Sequence, residues 1–244
     1  MLRAYIDESG QEDKDWMFLA GFLGSEKQWE KFAPRWKVGL GPQRPYLHMH
    51  DLRWNTKRTE KLLARLGPIP EQCGLTPILG GVRYSDYQDL VSGTPLEKHL
   101  KGYIVCLFHL ILQVLRTVPD DGRLEVVLEE QTRYAAFANQ VLSIIADTSD
   151  WARTKDGHLK LAKWSFVPKG STILLDPADY FSFALRELWR NKKSPKARWC
   201  SPLLESCGGK GIGMILKRSD IRAEIQGTLL LAAFDMLEGM EATG

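Results

Sequence analysis

Two short apolar runs in this chain stop on paired acids. "LRAYIDESG" (2–10) leads Ala4, Tyr5 and Ile6 straight into Asp7 and Glu8, and "RLEVVLEEQ" (123–131) leads Val126, Val127 and Leu128 into Glu129 and Glu130. Runs of this length, rich in aliphatic and aromatic residues, predict strands. Side chains alternate along a strand, so Glu129 is expected on the face of Val127 and Glu130 on the face of Leu128. A turn accounts for Ser9 and Gly10, because Ser bonds the local backbone and Gly accepts positive φ. It does not account for an acid pair joined directly to an apolar strand. A third acid cluster stands in "LLDPADYFSFAL" (174–185), where Asp176 and Asp179 lie three apart at the start of an apolar-striped helix.

Between these landmarks strands and helices alternate. "WMFLAGFLG" (16–24) reads as a second strand, joined to the first through the polar turn "GQEDKD" (10–15) as an antiparallel hairpin. Ser25 and Gln28 form a capping-box pair that opens a helix carrying Trp29, Phe32 and Trp36, with Pro34 as a kink or early stop. "PYLHMHDL" (45–52) reads as a short strand or extended piece, and "TKRTEKLLARLG" (56–67) as a basic amphipathic helix. "LTPILGGVRYSDY" (75–87) predicts a strand. Residues 95–118 predict a helix, apolar nearly all round after Gly102 and therefore buried. A helix is expected over 134–152, a last strand over 158–170, and a helix from Pro177 to about Asn191 with Asp176 as its N-cap. A variable stretch with "CGGKGIG" (207–213) precedes a final helix over 218–240. No repeat, low-complexity run or linker divides the chain, so residues 1–244 are expected to form one α/β domain.

Composition narrows the class. A chain of 244 residues, 44% hydrophobic and 26% charged, can bury a full core without disulfides or a structural metal. Cys73, Cys106, Cys200 and Cys207 are scattered, with no zinc-finger spacing, and suit free thiols in a reducing cytoplasm. The longest apolar stretch (102–115) is shorter than the ~18 residues that suggest a membrane span, and it contains His109 and Gln113. Asp7 and Glu8 interrupt any leader-like apolar region. A cytoplasmic protein without a membrane segment is the expectation. The net charge of +3 is too small to imply nucleic acid by itself. Arg186, Arg190, Lys192, Lys193, Lys196 and Arg198 nevertheless cluster, and such a cluster either draws phosphate or forms a solvated loop. Trp189 and Trp199 flank it and could stack bases.

Carboxylates brought together repel unless cations sit between them. Two Mg²⁺ or Mn²⁺ ions about 3.5–4 Å apart can align a water and stabilise both oxygens of a phosphodiester displacement. Asp and Glu supply the oxygen ligands such hard ions take. The motifs "YIDESG", "WMFLAGFLG", "VVLEE" and "LLDPADYFSFAL" together resemble the domain-of-unknown-function family numbered thirty-eight hundred, whose members open with Y/F-I-D-E-S/T-G. They carry a later v-v-x-D-E strand and an L-Q-x-A-D helix. The resemblance spans almost the whole chain. It implies a ribonuclease-H-like mixed sheet with flanking helices and added C-terminal helices. It also implies that Asp7, Glu129 and Asp179 hold Mg²⁺ or Mn²⁺, with Glu8 and Glu130 as catalytic neighbours. The chain departs from the family at two places: Glu129 stands where Asp is usual, and Asp176–Pro177 replaces Gln and an apolar residue.

His48 and His50, at i and i+2, would share a face on a strand, and His50, beside Asp51, is the candidate general base. Ser9 lacks a nucleophile elbow, and "CGGKGIG" lacks the phosphate-loop pattern. The expected activity is a metal-dependent nuclease acting on RNA or DNA, with Arg186 to Arg198 steering the backbone. The alternatives are a non-catalytic nucleic-acid or protein-binding member of the same fold, acting in prokaryotic defence, and a hydrolase of small phosphorylated molecules. A protein partner or homodimer is compatible with the apolar face of the final helix.

Overall fold

The computed structural model describes residues 1–9, 16–92, 102–130, 134–148, 153–217 and 220. The turn expected over 10–15, the first residues of the helix expected over 95–118, the end of that over 134–152 and, apart from Asp220, the final helix over 218–240 lie outside the described residues.

In chain order the elements are β1 (Leu2–Ser9), β2 (Trp16–Ser25), α1 (Glu26–Leu40), α2 (Lys57–Leu66), α3 (Ile69–Gln72), β3 (Thr76–Arg83) and α4 (Tyr84–Val91). Then follow α5 (Gly102–Thr117), β4 (Leu124–Glu129), α6 (Ala135–Thr148), β5 (Leu161–Val167), α7 (Asp176–Arg190), α8 (Pro195–Trp199), α9 (Ser201–Ser206) and β6 (Ile212–Leu216). The strands form one mixed sheet in the order β5-β4-β1-β2-β3-β6. β1, β2 and β3 pair antiparallel, β4 runs parallel to β1, and β5 runs parallel to β4. This α/β arrangement is compatible with the ribonuclease-H-like order, extended by β6 parallel to β3.

Alternation along the strands divides the core between the two faces of the sheet. Ala4, Ile6, Leu19, Ile78, Val126 and Leu128 point to the face covered by α5 and α6. Every residue of α5 from Gly102 to Leu112 is buried, which is what an all-round apolar helix requires. Each fully buried Leu or Ile there contributes ~1.5–3 kcal/mol. The helix lies close on β3: a Cβ at Gly80 would fall 2.7 Å from the Cys106 carbonyl oxygen. Tyr5, Phe18, Ala20, Phe22 and Val127 point to the other face, under α1, α2 and α7. Ser25 and Gln28 close the expected capping box, and Pro34 does not stop α1, which runs on to Leu40. No helix among the described residues is long and apolar enough to cross a membrane.

Four local expectations are corrected. Residues 45–52 are not a strand; they hold a 3₁₀ turn at Met49–Asp51. β3 ends at Arg83 and α4 follows directly, so "YSDY" is helical. Asp176 does not cap α7, because Leu175 holds the N-cap position and Asp176 is the first helical residue. A sixth strand follows "CGGKG". The short run "IGMIL" hides it, and Gly213 is its signal, since a Cβ there would meet the Leu79 carbonyl oxygen at 1.9 Å.

Candidate metal centre

β1 and β4 are parallel neighbours with Ile6 opposite Leu128, so Asp7 and Glu129 come next, side by side, at the ends of the ladder. Both share the phase of Tyr5 and Val127 and face α7. Asp179, in the first turn of α7, descends toward them, and all three side chains are buried. The Glu8 amide donates to Asp7 Oδ1 at 2.8 Å. Met49 N donates to Asp179 Oδ2 at 2.8 Å, and His48 Nδ1 lies 2.9 Å from the same oxygen, so Nδ1 carries the proton. Lys169 Nζ donates to Glu129 Oε1 at 3.1 Å. Asp7 Oδ2, Glu129 Oε2 and Asp179 Oδ1 therefore each remain without a hydrogen-bond donor among the described residues.

The electrostatics follow from this crowding. Burial, then the Glu8, Asp179 and Glu129 carboxylates, hold Asp7 well above the usual carboxylate range, while Lys169 pulls it down. Burial and Glu129 push Glu8 up to about 7. Lys169 stays charged beyond its ordinary range: burial works against the ammonium, but Glu129, Asp179 and Asp7 outweigh it. The bond to Asp179 raises His48.

The remaining expected residues are placed differently. Glu130 is exposed, one residue beyond the end of β4, and its amide donates to the Val167 carbonyl. His50 does not reach Asp179. Its ring packs edge-on to Phe183 with centroids 6.1 Å apart, and burial and Arg186 lower its pKa. The residue beside the acid is His48, because a turn rather than a strand separates the two rings. The Arg186 guanidinium lies 4.9 Å over the Phe183 ring, with Nε lacking a hydrogen-bond partner among the described residues. Lys196 lies 5.1 Å over Trp54, which stacks on both Phe183 and Trp199. Arg190, the last residue of α7, and Lys192, Lys193 and Arg198, beyond its end, are exposed. Trp189 packs on Trp16 at 4.7 Å.

Sequence reading missed two residues. Lys169 could have been found from register, because Glu129 pairs with Val167 and two further residues bring a side chain back beside it. The second is Asp176, whose sequence position predicts only a cap. Its Oδ2 instead accepts from Trp36 Nε1 at 2.9 Å and Leu47 N at 2.7 Å, and burial pushes its carboxyl up to about 7. No family model matches the chain, and no curated protein matches it.

The donor set suits a hard divalent cation in its chemistry: all oxygen, strongly anionic, each carboxylate with one oxygen to spare. In spacing, no three His, Cys, Asp or Glu side chains among the described residues already stand as a ligand set. Lys169 is the cation the acids have, and a metal would take its place on Glu129.

Proposed function

We propose that this protein is a metal-dependent phosphodiesterase acting on RNA or DNA. The observation that carries the reading is the convergence of buried Asp7, Glu129 and Asp179 from two adjacent strands and a helix, each with an oxygen left without a donor among the described residues. The motif resemblance at Asp7, Glu129 and Asp179 supports the same assignment. Asp7, Glu129 and Asp179 would hold the cation, which supplies Lewis-acid activation of water and phosphate. His48 and the Met49 amide fix Asp179 through Oδ2, so Oδ1 is the oxygen that would be available to a cation. Glu8, with a carboxyl at about 7, can exchange a proton near neutrality. Lys169 is the ammonium available to a phosphate once Glu129 releases it.

Cleavage of labelled single- and double-stranded RNA and DNA in Mg²⁺, Mn²⁺ or chelator tests this. Wild type is expected to cut only with metal, and Asp7→Asn to lose about a hundredfold or more with an unchanged circular dichroism spectrum. An Asp7→Asn protein that retains full metal-dependent activity overturns the assignment. The Lys169–Glu129 ion pair favours a second reading, a non-catalytic nucleic-acid-binding module in which the lysine is a permanent partner. That reading predicts metal-independent binding, undiminished in Asp7→Asn, and no cleavage under any condition.

A further inference from the structure

We infer that the groove between the C-terminal end of α1 and the outer face of α2 binds a single-stranded polynucleotide and leads it to the His48–Asp179 end of the acid site. Two adjoining cavities make up the groove. The outer one, about 620 Å³, is lined by Arg44, Lys57, Arg58, Lys61 and Arg65 over an apolar floor of Leu40 and Leu62. The inner one, about 520 Å³, contains Arg53, Tyr46 and His48 and shares Arg44, Arg58 and Gln43 with the first. Its single acid, Asp51, lies 4.0 Å from His48. None of the six cations pairs with an acid among the described residues; Arg58 donates to the neutral Gln43 at 3.0 Å. Unpaired like charges around a concave surface repel one another, and a polyanion relieves that repulsion.

The arrangement suits a strand rather than a point anion. Lys57, Lys61 and Arg65 are four residues apart, so they form one stripe with about 6 Å between successive side chains. Tyr46, exposed to 38%, stands at the inner cavity with its ring 3.3 Å from where a Cβ on Gly170 would lie, next to Lys169. A basic track with an aromatic ring at its inner end is the combination that holds unpaired bases. Arg186 and Lys196, by contrast, lie on ring faces of the core-side stack. The inference rests on the phosphodiesterase reading only for what happens at the inner end of the groove.

The test is fluorescence anisotropy in chelator with labelled RNA and DNA single strands of about 12 nucleotides and the corresponding duplexes. Single strands are expected to bind, with log affinity falling against log salt at about −0.7 per phosphate contact between about 50 and 200 mM. Lys57→Glu/Lys61→Glu/Arg65→Glu is expected to weaken binding at least tenfold and flatten that slope, with an unchanged melting temperature. Tyr46→Ala is expected to weaken it by about tenfold while keeping the slope. A charge-matched change at Lys27, Arg153 and Lys155 serves as the control and should stay within twofold. RNA and DNA single strands each count in favour, and their ratio identifies the source of the strand. Wild-type affinity in the folded triple variant, a preference for duplex, or no binding at the lowest salt overturns the inference. Cleavage by wild type and by the triple variant separates the two claims. Intact binding without wild-type cleavage leaves the groove and removes the phosphodiesterase reading, whereas metal-dependent cleavage undiminished in the triple variant does the reverse.

Discussion

Asp176 and Asp179 stand three residues apart on α7, and their hydrogen bonds divide their roles. Asp176 gives one oxygen to two buried donors, Trp36 Nε1 and Leu47 N, and so ties α1 and the 45–52 segment to α7. Asp176→Ala leaves both donors unsatisfied and should cost about 2–5 kcal/mol in urea unfolding. Asp176→Asn keeps an acceptor and removes the titration. The folded carboxyl titrates at about 7, above its ordinary value, so between about pH 4 and 7 the folded state binds the extra proton. Its stabilising contribution is full below about pH 4 and is lost as pH rises through about 7. Urea melts across this range should therefore show Asp176→Asn gaining on wild type with rising pH, from near equality to a few kcal/mol. Lys169 makes a second prediction at this scale. Lys169→Met removes the ammonium facing Asp7, Glu8 and Glu129. In chelator at pH 8 it should lower the melting temperature, and Mn²⁺ should restore it by more than it raises wild type. No restoration would favour the permanent ion pair.

At the scale of elements, α5 and α7 hold opposite faces of the sheet by different means. α5 is apolar on all sides and lies where β3 presents Gly80. Gly80→Ala would put a methyl 2.7 Å from the Cys106 carbonyl oxygen and 3.3 Å from Leu110 Cβ, so α5 must shift outward. We expect a loss of about 1–3 kcal/mol in denaturant unfolding. Metal response should be unaffected, because the acids stand on the other face. α7 is amphipathic, and its buried stripe includes Asp176 and Asp179 beside Phe181 and Ala184. Those acids explain why "PYLHMHDL" is a turn although its alternation reads as extended. The Leu47 and Met49 amides, which a strand would give to a neighbour, go to carboxylates from a helix about 130 residues away. No local pattern carries that information. The same turn places His48, not His50, against Asp179.

At the scale of the whole molecule, the candidate centre joins β1, β4 and α7, so a bound cation would be coupled to global unfolding. At a hundredfold excess over its dissociation constant, Mg²⁺ or Mn²⁺ should stabilise wild type by about 2.7 kcal/mol. For a chain of this length that is a melting shift of about 5–10 °C. Scanning fluorimetry with metal and with chelator checks it, and Asp7→Asn should show none of the shift. The groove along α2 belongs to this scale too. Its cations come from the α1–α2 connection and from the outward face of α2, and they converge because α2 packs with Leu62, Leu63 and Leu66 inward.

Local sequence suffices for the strands and helices whose residues carry their own period, caps and punctuation. β1, β2, β4, the capping box at Ser25 and the buried α5 were legible because short-range sterics and apolar spacing decide them. It also determined that Glu129 ends a strand and that Asp179 opens a helix, since position within an element follows from pattern, whereas β1 runs two residues past Asp7 to Ser9 because β2 continues to pair with it. Long-range packing set which strands are neighbours, that Lys169 pairs with Glu129, and that Asp176 binds a distant turn rather than its own helix end. Those outcomes depend on contacts between residues far apart in the chain. Desolvated carboxylates take whichever donors the packed elements bring within reach, and that choice is made only once the sheet is assembled.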